Sequence, residues 1–403
     1  MRTLVILGSA TMLAACGGDT GAQSAGSVAP PTGPAATHSF VNPTETKTYE
    51  GLGGVQSYDY STRSDQGYQD GQLYAADANT ARSSGISVAY NPRDAIFELT
   101  ISQPLGNVEV AAFRFQDPQH RTDFDGAVGP QAGVPEFAAN KQIQYLQADA
   151  ATDTGSALSG NDPLADGAER SDYFVGAAGS SSTVNTLFYQ KPGTTTKYVT
   201  YAGFVRNVLS ANEVSEDGAP PALQQNYGLD RAAFVFGERT ANGAVPKTGS
   251  ASFTGDMIAS MVFNPMGDTD PGFPSYLQWI EGSNTTSVDF ASLAVTTELT
   301  GTVHAPTLDA YTSWASALPA GSRFAASATA TLDLINKGGF TGSFDKASFT
   351  RPGMDDFTVS IAGSSLDGAF FGPNGEEIGA GFRIVGGTPD ERIDIVGAFT
   401  GKK

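Results

Sequence analysis

With 403 residues, 42 acidic against 23 basic side chains and a formal charge of −19, the chain repels phosphate backbones. No Lys/Arg cluster offsets that charge, so nucleic-acid binding is excluded. The 48 glycines, a charged fraction of only 16% and the lack of heptads or long amphipathic stripes exclude an all-helical or α/β chain. They favour many short strands joined by turns.

The amino terminus reads as a secretory signal over residues 1–15. Met1-Arg2 gives a positive start, Thr3 to Leu7 a short apolar core, and small residues follow. That apolar stretch is too short to stay in a bilayer as a helix. Leu13-Ala14-Ala15-Cys16 resembles the lipobox of bacterial lipoproteins, with cleavage before Cys16 and acylation of that residue. Cys16 is the sole cysteine of the chain, so no intrachain disulfide forms and the core rests on burial. Gly17 follows it. An Asp there would resemble an inner-membrane retention signal, so the expected location is the outer membrane, anchored through acyl chains rather than spanning. Residues 16–46 are rich in Gly, Ala, Ser, Thr and Pro and bury no core; a flexible tether is expected.

Residues 47–245 read as a β-rich domain. Ile86, Val88 and Tyr90 alternate, Asn91-Pro92 turns the chain, and Phe97, Leu99 and Ile101 alternate again, which predicts a hairpin. Val110 to Phe115 is a further strand. Leu187 to Gln190 and Lys197 to Val205, around Pro192-Gly193, form a second hairpin. Ala232 to Gly237 is a strong apolar strand. Two polar stretches intervene, Asp117 to Glu136 and Asp149 to Arg170. Loops of that length are functional or disordered, and disorder is expected for the second.

Residues 246–403 suffice for an eight-stranded barrel. Predicted strands are Ser250 to Phe263, Ser287 to Val303, Phe324 to Leu334, Gly339 to Phe349, Phe357 to Ile361, Leu366 to Phe371, Glu377 to Val385 and Ile393 to Phe399. In the last of these Ile393, Ile395, Gly397 and Phe399 share one face, and Asp394, Val396 and Ala398 the other. Glycine between large apolar residues of one face lets a sheet bend or another group approach closely. Two connections are long. Asn264 to Asn284 carries Phe273, Tyr276 and Trp279, and Pro306 to Arg323 carries Trp314. They read either as a short helix or flap plugging the barrel mouth, or as exposed aromatic anchors for a partner protein. On the second reading Phe273, Tyr276, Trp279 and Trp314 are the candidate binding residues.

Two stretches carry a family resemblance. Ala233-Phe-Val-Phe-Gly-Glu238 with Pro246-Lys-Thr-Gly-Ser-Ala-Ser-Phe-Thr-Gly255 resembles the handle-to-barrel junction of transferrin-binding protein B, with Phe253 in place of the usual Tyr. Gly368-Ala-Phe-Phe-Gly-Pro-Asn-Gly-Glu-Glu-Ile-Gly-Ala-Gly-Phe382 resembles a late motif of the same family's barrel, and Val396-Gly-Ala-Phe399 its end. The resemblance covers Phe234 to Lys403 and is only topological upstream. It implies an all-β lobe made of a β-rich handle domain and an eight-stranded antiparallel barrel. It also implies a non-catalytic outer-membrane surface lipoprotein that captures a protein or an iron or haem source, with a surface-lipoprotein translocon as a further partner. The family protein has two lobes, and this chain has room for one. The matched Gly, Phe and Glu residues are structural. Glu376 and Glu377 point to opposite sides of a strand and cannot act as an acid–base pair; a turn or rim role is expected.

Catalytic signatures are missing from the sequence. His38, His120 and His304 lack metal-ligand spacing, there is no nucleophile elbow, and Asp268-Thr-Asp270-Pro-Gly272 is too short for a calcium loop. No cofactor is expected. Haem through His120 is the alternative, and a structural envelope lipoprotein without a soluble ligand is the rival function.

Overall fold

A computed structural model describes residues 40–63, 69–73, 84–102, 111–116, 133–153, 178–215, 218, 220–264, 276–305, 318–336, 338–387 and 392–403. Among them the regular structure is strand, apart from short 3-10 turns at Ala139–Lys141 and Asn242–Ala244. The protein is all-β: two sheets form a handle, and a third closes into a barrel.

The handle strands are β1 (Lys47–Glu50), β2 (Leu52–Arg63), β3 (Gln69–Leu73), β4 (Ile86–Asn91), β5 (Ile96–Ile101), β6 (Ala111–Gln116), β7 (Ile143–Asp153), β8 (Ser181–Gln190), β9 (Val199–Val214) and β10 (Ala222–Gly237). One sheet runs β1-β4-β5-β6 and the other β3-β2-β10-β9-β8-β7. The larger sheet is the middle layer of three. On β10, Ala232, Phe234 and Phe236 face the small sheet, while Ala233 and Val235 face the barrel. Both faces are covered, which is why residues 232–237 are an unbroken apolar run rather than an alternating one. The predicted hairpins at 86–101 and 187–205 form as β4–β5 and β8–β9. The stretch from Asp149 is not wholly loop: Asp149 and Ala150 pair with Val184 and Thr183 within β7. Residues 154–170 lie outside the described residues.

The barrel strands are β11 (Ser250–Asn264), β12 (Tyr276–Asp289), β13 (Ala294–Val303), β14 (Arg323–Asp333), β15 (Gly339–Thr350), β16 (Phe357–Thr358), β17 (Ser360–Phe371), β18 (Glu377–Gly387) and β19 (Arg392–Lys402). Eight close the ring in the order β14-β13-β12-β11-β19-β18-β17-β15, with β15 pairing back to β14; β16 is an appendage of β15. Two expectations need correction. Residues 276–284 are strand, not connection. The stretch 287–303 is two strands, broken where Asp289 accepts the backbone N–H groups of Ala291 and Ser292. The cause is chemical. The inward positions of β12 include Gln278, Gly282, Asn284 and Thr286, so its apolar alternation is faint, while Thr-rich runs hide a turn. Conversely, residues 360–361 and 366–371 belong to one strand, β17, whose exposed Ala362-Gly363 mimics a turn, while Phe357 and Thr358 form the separate β16.

Phenylalanine fills the interior: Phe253, Phe263, Phe340, Phe344, Phe382 and Phe399 are buried in one cluster with Ile393 and Ile395. Each such ring stabilises by roughly 1.5–3 kcal/mol on burial. Gly397 makes room for one of them, because a Cβ there would sit 2.3 Å from the ring of Phe382. The outward positions of β13, Ala294, Thr296, Glu298, Thr300 and Thr302, are exposed. Apolar inside and polar outside is the reverse of a membrane-spanning barrel.

Candidate binding surface

The barrel wall facing the handle departs from that polar pattern. Outward-facing Ile258, Trp279, Ala369, Phe371 and Ala398 pack against Phe188 and Val235 of the handle. Gly381 brings the layers into contact, since a Cβ there would meet the backbone nitrogen of Gly53 at 2.5 Å.

Several polar groups buried in this joint pair across it. Asp256 accepts from Lys141 Nζ (2.7 Å), Gln190 Nε2 (2.9 Å) and Thr195 Oγ1 (2.8 Å), all from the handle. Burial pushes the Asp256 carboxyl up, but these bonds outweigh it and hold the group below the usual carboxylate range. Glu377 accepts the N–H groups of Lys197 (2.7 Å) and Tyr198 (2.8 Å), and burial keeps its carboxyl above the ordinary value. Arg383 forks onto Asp394 at 3.1 and 2.6 Å, while Gln56 donates to the Asp394 carbonyl at 3.0 Å. Thr240 N–H donates to the Phe370 carbonyl and Thr240 Oγ1 to that of Gly372, and Gly372 N–H donates to the Glu238 carbonyl. The two sequence motifs therefore meet each other: residues 238–240 are stitched to 370–372. Glu376 caps its turn through the backbone and side chain of Asn374. Glu377 is not at a rim but buried in the joint.

Strand direction then sorts the connections. β2, β7 and β9 of the handle and β11, β13, β15 and β18 of the barrel run toward one pole. There Phe263 pairs with Tyr276, Thr302 with Arg323, Arg323 with Thr350, and Asn264 with Arg392. Leu209, Tyr227 and Tyr58 of the handle pack beside Val262 and Leu277 on the way to it. At this pole the strands are joined through 64–68, 154–180, 215–221, 265–275, 304–322, 351–356 and 388–391. At the opposite pole the barrel has short turns at 290–293, 334–338 and 372–376, and the handle connections 191–198, 238–249 and 117–142 meet strand ends there.

The sequence-selected residues fall unevenly on this frame. Cys16, Phe273, Trp314 and His120 lie outside the described residues. Tyr276 opens β12 at the pole with the long connections. Trp279 is not an exposed anchor. It is 1% exposed, beneath the handle, and its Nε1–H donates to the Gly133 carbonyl at 2.7 Å. A strand residue pointing out of a barrel is still buried where a second domain covers the wall. Gln278, on the inner side, donates to the carbonyls of His304 (3.0 Å) and Leu318 (2.8 Å), which fixes both flanks of the 306–317 connection.

Sequence reasoning missed a polar cluster at the edge of the joint. Glu281 lies 3.9 Å from Lys141 and 3.4 Å from His304 Nε2. Its members come from positions 141, 256, 281 and 304, and only pairing of β11, β12 and β13 beside the handle unites them. Among the described residues no His, Cys, Asp and Glu side chains gather as a metal site.

Fold and joint together define a class: a lobe in which a two-sheet handle is riveted to the outside of a filled, eight-stranded barrel. Residues 245–403 match the family model of the C-lobe and N-lobe beta barrels of Tf-binding protein B. The barrel portion of this chain is thus similar to the barrels of Tf-binding protein B. Among solved structures, a double mutant of transferrin-binding protein B from Haemophilus parasuis Hp5 aligns at 14% identity over 90% of this chain and 76% of that one, with a TM-score of 0.27. The intact Ap transferrin-binding protein B, with N and C lobes, aligns at 12% identity over 93% and 78%, with a TM-score of 0.30. The isotype 1 protein of serogroup B Neisseria meningitidis aligns at 11% identity over 89% and 77%, with a TM-score of 0.23. No curated protein matches the chain.

Proposed function

We propose that this chain is a non-catalytic lipoprotein of the outer membrane surface, and that it captures a protein ligand at the pole where its long connections gather. One observation carries the reading: the two longest connections within the barrel, 265–275 and 304–322, both lie between strand ends at one pole, while its turns at the opposite pole span only 290–293, 334–338 and 372–376. Rigid strands holding variable connections at one pole are the common arrangement of binding scaffolds. A macromolecular ligand fits better than haem, because the barrel interior is packed with side chains. The acidic chain, at −19, would favour a partner with a basic face. Transferrin is the first protein to try, since the family model that residues 245–403 match is named for Tf binding.

The test uses the full mature chain, with connections 265–275 and 306–317 each replaced by a short Gly/Ser turn. Capture of transferrin, or of another protein retained by the parent chain from natural surroundings, should drop by at least about tenfold, the scale of losing an interface hot spot. Full retention in both variants would move the site elsewhere. A shifted Soret band on titration with haemin would favour the small-ligand reading instead. The anchor is checked separately: Cys16→Ser should leave the membrane pellet, and its persistence there would reject lipidation at that residue.

A further inference from the structure

The outer wall of the barrel also carries a concavity on β12, β13 and β14, at the edge of the joint. It is lined by Glu281, Ser283, Thr300, Thr302, Arg323 and Ala325 and has a volume of about 420 Å³. A barrel's outer face is convex, so a hollow there needs a cause. Gly282 pairs with Gly301, and both positions face the interior, so neither strand puts a side chain beneath the wall at that point. The wall is free to dip between the outward side chains of its neighbours.

The lining has a definite chemistry. Ser283 Oγ and Thr300 Oγ1 lie 3.2 Å apart on the floor, an exposed hydroxyl pair able to donate and accept. Thr302 sits between Glu281 on one side and Arg323 on the other, as cross-strand neighbours of one row. Glu281 is already engaged with His304 and Lys141. Arg323 is exposed, and among the described residues its guanidinium forms no ion pair. A free guanidinium is thus held at the rim of a hydroxyl-lined hollow in a molecule of charge −19. A planar fork of that kind donates two parallel bonds to a carboxylate, and the hydroxyls pair with ring hydroxyls beside it.

We propose that this hollow is a second binding site, for an acidic sugar, with Arg323 taking the carboxylate and Ser283, Thr300 and Thr302 taking hydroxyls. It lies on the outer wall of the barrel, where β12, β13 and β14 approach the pole with the long connections and Arg323 opens β14. Its ligand is a small acid bound by wall residues rather than a protein held by the connections, so the two readings are tested separately.

The test is titration of the full mature chain with N-acetylneuraminic acid and with glucuronic acid, followed by ligand-observed NMR and calorimetry, with galactose as the neutral control. The acids should bind and galactose should bind at least about tenfold more weakly, the loss expected for a charge-assisted pair. Arg323→Ala should abolish that preference, Arg323→Lys should retain only part of it, and Thr300→Val should weaken both acids. Arg323 and Thr300 are exposed strand positions, so unchanged melting of the variants would separate lost binding from lost fold. No saturable binding of either acid, or binding that survives Arg323→Ala unaltered, would overturn the proposal.

Discussion

At the scale of single residues, the joint is held by carboxylates with unlike environments. Asp256 has three side-chain donors around it and a lowered pKa; Glu377 has backbone donors, but burial outweighs them and leaves a raised one. The sign of the pH effect follows. A carboxylate whose pKa is depressed on folding contributes stability above its unfolded value, near 4, and that contribution is lost as pH falls through the folded value. Glu377 has the opposite sign: ionising it becomes costly as pH rises past its unfolded value. Denaturation midpoints measured from about pH 3 to 7 should therefore fall on the acid side in the parent chain. Asp256→Asn should flatten that fall, because the amide keeps the shape but not the titration. An equally steep acid loss in the variant would remove Asp256 from the account.

At the scale of elements, β12 is the strand on which most depends and which its own sequence announces least. Its inner side offers Gln278 to the flanks of the neighbouring connection, and its outer side offers Trp279 to the handle. Trp279→Phe keeps the ring burial but strands the Gly133 carbonyl, and should cost about 1–3 kcal/mol. The chain has two tryptophans, so Trp314→Phe leaves Trp279 as the sole indole emitter. Its fluorescence should be blue-shifted and resist acrylamide quenching. A red-shifted, readily quenched spectrum would restore Trp279 as an exposed anchor.

At the scale of the whole molecule, the barrel completes its outer surface only with the handle in place. Ile258, Trp279, Phe371 and Ala398 face outward yet are buried. Handle and barrel should therefore melt in a single calorimetric transition. Residues 245–403 made alone should bind a hydrophobic dye that the full mature chain does not, since an exposed apolar patch of this kind marks a missing partner. Two separate transitions, and a dye-silent isolated barrel, would show the layers to be independent.

Period-2 alternation in β4, β5 and β19, and the repeated Gly–Phe phrases of the last third, determined an all-β chain with a glycine-relieved, phenylalanine-filled barrel. Those are local facts, because alternation states which residues share a face. It does not state what covers the outer face, and that is where tertiary structure decided: Trp279 went under the handle, Glu377 into the joint, and Glu281 beside His304 and Lys141. The eighth strand, too, escaped the pattern, because β12 points Gln, Gly, Asn and Thr inward where the barrel needed room and hydrogen bonds more than bulk. Covering one domain's wall with another is a long-range event, and no spacing within a strand records it.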